Sequence, residues 1–146
     1  EKQQLGPEYL LVDGYNIIFA SEELAALAKQ DVSAARGVLT DILANFRGYR
    51  KCEVILVIDA YKVKGNSGSV EKVNGIYVVY TKEGETADVF IERMVYEHGK
   101  KEQMRVVTSD GLIQTLTLGH GALRTSSREF LKELEAIEEA IREALQ

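Results

Sequence analysis

Short apolar runs, each delivering a carboxylate at or just past its end, constrain this chain more than any other feature. Leu10-Leu11-Val12 runs into Asp13-Gly14-Tyr15-Asn16. Val54-Ile55-Leu56-Val57-Ile58 runs into Asp59, and Arg105-Val106-Val107 runs through Thr108-Ser109 into Asp110. Runs this short and this continuously apolar suit strands buried on both faces. Between them lie stretches at helical spacing, such as Val38, Leu39, Ile42, Leu43 and Phe46. Such a stripe faces a core. Strands alternating with helices predict an α/β domain with a largely parallel sheet. Right-handed crossovers then place helices on both faces. The carboxyl ends of parallel strands share one sheet edge, where ligands bind. The acids are therefore predicted to meet in one cleft.

Patterning predicts strands over 9–13, 53–59, 75–81 and 103–109, with a brief fifth over 122–125. Helices are predicted over 22–29, 85–98 and 111–118. A longer helix is predicted to start at a Ser33 cap and to end at Gly48 and the basic cluster Arg47, Arg50 and Lys51. Residues 62–74, rich in glycine and polar side chains, read as a mobile loop. Ser126 or Ser127 caps the last helix, and Ser126 with Glu129 has capping-box spacing. That helix carries Phe130, Leu134, Ile137, Ile141 and Leu145 on one face, which packs on the sheet or forms a partner or dimer contact. A chain of 146 residues fits one domain over 1–146. Residues 1–8 are expected to lie outside the fold, and the lack of an initiator Met is expected of a trimmed chain.

The bulk numbers exclude several classes. Hydrophobic content of 45% and charged content of 28% are ordinary for a globular domain. No apolar stretch approaches the roughly 20 residues that span a bilayer. The first residues lack the apolar core of a signal peptide. Cys52, the single cysteine, rules out an internal disulfide and a cysteine-based zinc site. It reads as a partly buried thiol, and cytosolic residence is expected. A net charge of -5 does not signal a nucleic-acid binder. Six glutamates against three basic residues over 127–146 account for much of that excess. The rest is near balance, with basic clusters at Arg47/Arg50/Lys51, Lys62/Lys64 and Lys100/Lys101.

Each acid has two readings. Asp13 and Asn16 either cap the following helix or face a ligand, with Gly14 allowing an unusual backbone angle or a close approach. Asp59 either caps a turn or joins the site. Glu85 and Asp88, three apart, share a helix face, where they either favour the helix dipole or add to the site. Asp110 is a plain N-cap or a fourth site carboxylate. Converging carboxylates repel one another and suit a hard divalent cation, Mg2+ or Mn2+. Such ions facing a phosphodiester activate water and stabilise the leaving oxygen. His98 and His120 lack metal-ligand spacing and read as surface residues, His120 being the better placed for substrate.

The run 11–16 resembles the opening of NYN domains, which are PIN-like ribonucleases. The runs 81–88, 108–110 and 119–129 resemble the bacterial YacP-like branch, and the resemblance spans nearly the whole chain. It implies an α/β, PIN-like three-layer sandwich with a central, mostly parallel sheet of four to five strands. It implies a metal-dependent endoribonuclease acting on single-stranded RNA, for this branch messenger RNA on translating ribosomes in the cytoplasm. By motif, Asp13, Asp88 and Asp110 are the metal-binding carboxylates, with Asn16, Asp59 and Glu85 as supporting catalytic groups. Arg124 is a phosphate contact, a clamp on the acids or a plain salt bridge. Lys62, Lys64, Ser109 and Arg128 are RNA contacts, and Tyr15 or Tyr61 either offers a stacking surface for unstacked bases or packs beside the sheet. No membrane and no nucleotide cofactor are expected, and oligomeric state is left open. The acidic last helix lacks a basic tail, so a substrate-holding segment is expected to be missing.

Two other readings use the same residues. One is a non-catalytic RNA- or ribosome-binding module. The other is a phosphoacceptor switch, since Asp13 and Asp59 end strands. The chain lacks the acidic pair after its first strand and the late lysine that a switch needs.

Overall fold

The computed structural model describes residues 7–111 and 119–146. The chain runs β1 (Glu8–Asp13), α1 (Gly14–Ala20), α2 (Glu22–Gln30), α3 (Val32–Arg50), β2 (Glu53–Ile58), β3 (Ser69–Val73) and β4 (Ile76–Tyr80). It continues through α4 (Ala87–His98), β5 (Gln103–Val107), β6 (Leu123–Thr125) and α5 (Ser127–Ala144). The strands form one sheet in the order β3-β4-β2-β1-β5-β6. Every pairing is parallel except that of β3 with β4. The predicted helix over 111–118 falls almost wholly outside the described residues.

Period-two alternation sorts the strands between two apolar layers. Leu10 and Val12 join Ile17 and Ile18 of α1, Leu39, Leu43 and Phe46 of α3, and Phe130 of α5. Leu11 points the other way, onto Ala87, Ile91 and Val95 of α4. Leu10, Leu11 and Val12 are all fully buried. Each such side chain contributes about 1.5–3 kcal/mol, which explains why β1 is apolar on both faces and sits mid-sheet. The result is the expected three-layer α/β sandwich.

Several boundaries correct the expectations. The sheet has six strands rather than four to five, because residues 69–73 of the predicted loop form β3. Val73 pairs with Ile76 across the two-residue turn Asn74-Gly75, with φ of 50° and 91°. Positive φ at both positions is the type I′ hairpin turn that Asn-Gly favours. The remaining loop is held by hydrogen bonds. Asn66 Nδ2 donates to the Thr81 carbonyl at 2.8 Å, its Oδ1 accepts from Gly68 N–H at 2.8 Å, and Gly84 N–H donates to the Tyr61 carbonyl at 2.9 Å. Asp31, not Ser33, caps α3, accepting from Ala34 N–H at 3.2 Å. That helix runs through Gly48 and stops where Lys51 turns left-handed, at φ 56°. A short helix, α1, starts directly at Gly14. Glu8 belongs to β1, opposite Gln103, so the fold begins one residue earlier than expected.

The capping box at α5 forms as predicted, with both the Ser126 and Glu129 halves made. Phe130 is fully buried, edge-on to Phe46 at 5.1 Å between centroids, with the Arg105 guanidinium 5.6 Å from its ring. Arg105 also pairs with Glu133, which accepts a second bond from Arg50 at 2.9 Å. Leu134 and Ile137 pack against the same core. The stripe then leaves the protein: Leu145 is 83% exposed. Packing on the sheet layer therefore accounts for the first half of the stripe only.

Candidate active site

Parallel pairing puts the predicted acids at one sheet edge. Asp13, the last residue of β1, lies opposite Val57 of β2, two residues before Asp59. Val12 lies opposite Val107 of β5, three residues before Asp110. Ile58 pairs with Tyr80 at the end of β4, and the chain then passes through residues 81–86 into α4, where Asp88 sits in the first turn.

Asp13 occupies the N-cap position of α1 yet closes no side-chain capping bond, although the nearby Asn16 N–H tempers its charge. Burial, then the charge of Asp88, lift its pKa from 3.8 to about 6, and Asp59 adds to the rise. Asp88 is raised as well, by burial first and then by Asp110, Glu92 and Asp59. Asp13, Asp59, Asp88 and Asp110 thus share one repulsive field.

Thr108, fully buried, ties two of them together. Its hydroxyl donates to Asp13 Oδ2 at 3.3 Å and accepts from Asp110 N–H at 3.2 Å. Asn16 Oδ1 accepts from Ser109 N–H at 3.0 Å and from the hydroxyl of Ser127. Ser127, fully buried, is the first residue of α5, and its N–H donates to Ser109 Oγ at 3.3 Å. Thr108 and Ser127 were not singled out as site residues in the sequence. The run Thr-Ser-Asp and the capping serines were visible, but nothing in one dimension tells a buried hydroxyl from an exposed one.

Other candidates stand elsewhere or do different work. Glu85 precedes α4 instead of lying within it, since Thr86 is the N-cap, so it shares no helix face with Asp88. It is 7% exposed and paired with Arg93, a structural ion pair. Asp59 accepts from Tyr61 N–H and from Ala87 N–H, both at 3.3 Å, so it anchors the start of α4 to β2 and affects the site by its charge. Gly14 serves a close approach between chain segments: a Cβ there would lie 2.8 Å from Ile58 Cδ1 and 3.0 Å from the Val57 carbonyl. Lys62 lies 5.7 Å from the Tyr61 ring, and Lys64 is exposed, both in the loop after Asp59. Arg124 is exposed on β6 opposite Val106, and Arg128 is exposed in the first turn of α5. Tyr15 accepts from Arg36 Nη1 at 3.1 Å. His98 ends α4, and His120 lies 5.3 Å from the Tyr96 ring. Cys52 is buried rather than partly buried. No helix among the described residues is long and apolar enough to cross a membrane.

Carboxylates that repel one another across a shared edge are the donor set a hard cation takes. Among the described residues, however, no three His, Cys, Asp or Glu side chains are gathered closely enough to hold an ion as they stand. The acids share a field without forming a finished cage.

Comparisons with known proteins agree with this fold. A crystal structure of Rae1 (YacP) from Bacillus subtilis matches with a TM-score of 0.77 at 40% identity, covering 94% of this chain and 79% of that one. Its W164L mutant matches with a TM-score of 0.77 at 38% identity, covering 93% of this chain and 80% of that one. In sequence, the chain is 41% identical over 135 residues to the Bacillus subtilis (strain 168) protein called "Uncharacterized protein YacP", spanning 92% of this chain and 79% of the relative. The model of the YacP-like NYN domain matches residues 10–146. The six-stranded, mostly parallel sheet, the acid-lined edge and these matches together make the chain a member of the YacP-like NYN family, a membership consistent with a ribonuclease or RNA-associated role.

Proposed function

We propose that the protein is a divalent-metal-dependent endoribonuclease that cuts single-stranded RNA, with messenger RNA on the ribosome as its substrate. The observation that carries this reading is the convergence of Asp13, Asp59, Asp88 and Asp110 on one sheet edge, with a single buried hydroxyl, Thr108, linking Asp13 to Asp110. Asp13, Asp88 and Asp110 are the residues to hold Mg2+ or Mn2+. Such an ion supplies charge neutralisation at the phosphodiester and a lowered pKa for the attacking water. Thr108 fixes the orientation of Asp13. The Oδ1 of Asn16 already accepts from Ser109 and Ser127, so its amide hydrogens are what it offers a phosphate oxygen. Arg124, Arg128, Lys62 and Lys64 supply positive charge around an otherwise acidic edge.

The test is cleavage of a labelled single-stranded RNA, free and engaged on ribosomes, with Mg2+ or Mn2+ and with EDTA. Cleavage is expected only with metal, and Asp13→Asn and Asp88→Asn are each expected to slow it at least about 100-fold. Undiminished cleavage by both variants rejects the mechanism. One observation favours a second reading, a non-catalytic RNA- or ribosome-binding module: the acids are not gathered into a cage among the described residues. Wild-type protein that co-sediments with ribosomes yet never cuts in either metal selects that alternative.

A further inference from the structure

We propose that Phe19, Tyr15 and Arg36 form a subsite for one nucleotide of single-stranded RNA beside the acidic edge, its base on the Phe19 ring and its phosphate at Arg36. This deepens the nuclease reading and rests on it.

Phe19 is an aromatic ring that the core does not take in. Helix α1 buries Gly14, Ile17 and Ile18, yet leaves Phe19 64% exposed. Leaving most of such a ring in water forfeits the larger part of the roughly 1.5–3 kcal/mol that full burial contributes. It is not disposed at random. Tyr15 and Phe19 stand four apart, hence on one helix face. Their rings are stacked, with centroids 6.2 Å apart and planes 25° from parallel. Successive flat rings of this kind are the surfaces on which bases of single strands rest, and they tolerate any base.

The phosphate partner lies at the end of this stack. Arg36 of α3 donates to the Tyr15 hydroxyl. It belongs to none of the ion pairs among the described residues. A guanidinium hydrogen-bonded to a neutral phenol keeps its charge for an anion, and its planar fork suits phosphate. Arg36 opens on a cleft of about 490 Å3, with Tyr80 on its wall. Asp41 and Glu71 line the same cleft, and their charges repel an anion from the parts of it beside them, leaving Arg36 as the basic group on its wall.

Position links the subsite to the acids. Tyr80 ends β4 opposite Ile58, the residue before Asp59. Asn16, next to Tyr15, reaches the other way to Ser109 and Ser127. A strand laid across this edge therefore meets the Asn16 network on one side and the aromatic platform on the other.

Binding of a fluorescein-labelled single-stranded RNA dodecamer, followed by anisotropy in EDTA, isolates recognition from cleavage. Phe19→Ala is expected to weaken binding roughly 5- to 150-fold, the usual range for losing one stacked base, while Phe19→Tyr binds as the wild type does. Arg36→Gln is expected to weaken binding and to flatten the dependence of log K on log salt by about 0.7, one phosphate of a single strand. Tyr49→Ala, an exposed aromatic near the end of α3, is the control. Thermal melts establish folding, and should Arg36→Gln not fold, the Phe19 pair decides. Wild-type affinity in both Phe19→Ala and Arg36→Gln overturns the subsite while leaving the nuclease reading intact if wild-type protein cuts RNA and Asp13→Asn does not. A wild type that fails to bind the dodecamer also overturns the subsite, and the cleavage assay then judges the nuclease reading separately.

Discussion

Replacing Asp13 with asparagine is expected to make the metal-free protein more stable while removing its proposed activity. A carboxyl whose native pKa exceeds its unfolded one binds its proton more tightly in the folded state. Stability therefore falls as pH climbs from about 3.8 through about 6, and the full penalty persists above that. A rise of this size corresponds to about 3 kcal/mol at pH 7.5, at ~1.36 kcal/mol per pH unit. Asp13 keeps a partly exposed edge, so water screens some of it and about 1.5–3 kcal/mol is expected. Asparagine is close in shape, retains an oxygen for the Thr108 hydroxyl, and removes the charge that burial and Asp88 oppose. For a chain of this length the gain corresponds to roughly 5–10 °C in Tm. The assay is urea unfolding of wild type and Asp13→Asn in EDTA across pH 4 to 7.5. The gap is expected to be small near pH 4, to open through pH 6 and to level off above it. Added Mg2+ or Mn2+ is expected to raise the wild type more than the variant, since only a native-state ligand shifts the midpoint. A variant no more stable than wild type at pH 7.5, or a gap that does not change with pH, refutes the claim that Asp13 sits ionised against a repulsive field.

Two further predictions probe the supports of the site. Ser127→Ala removes the hydroxyl donated to Asn16 and is expected to cost about 1–2 kcal/mol in chemical denaturation and to lower cleavage through Asn16, with Ser127→Thr recovering part of both. Phe130→Ala empties the fully buried contact with Phe46 beneath Arg105 and is expected to cost about 3–5 kcal/mol. The same urea titration reads that loss, and a cost under 1 kcal/mol refutes the view that α5 is anchored by this ring.

Much of the architecture was legible because its signals are local. Short apolar runs announced β1, β2 and β5, and the continuous, β-branched run of β2 placed it mid-sheet, since only a strand covered on both faces carries no polar side. The Ser126 and Glu129 pair announced the start of α5, because a capping box is made by residues three apart. Where the reading failed, two local signals competed. The glycine and polar content of residues 62–74 outweighed the Asn74-Gly75 hairpin signal and hid β3. Gly48 read as a stop, but one glycine costs a helix only about 1 kcal/mol, and packing of Leu39, Leu43 and Phe46 overrides it. Glu85 read as the partner of Asp88 by spacing, until Thr86 took the cap and left Glu85 to Arg93.

The chain by itself determined the alternation of strands and helices, and hence that the acids after β1, β2 and β5 would reach one edge. That follows from chain direction in a parallel sheet and needs no contact between distant residues. Only the tertiary structure decided how each acid is used. Asp59 is drawn to the backbone of α4, Glu85 to Arg93, and Asp13 into a repulsive field steadied by Thr108. It also decided that Ser127, 111 residues from Asn16, holds that side chain in place. Burial, charge proximity and hydrogen-bond partners are properties of through-space neighbours, and those exist only once the sheet has closed its order and the helices have covered it.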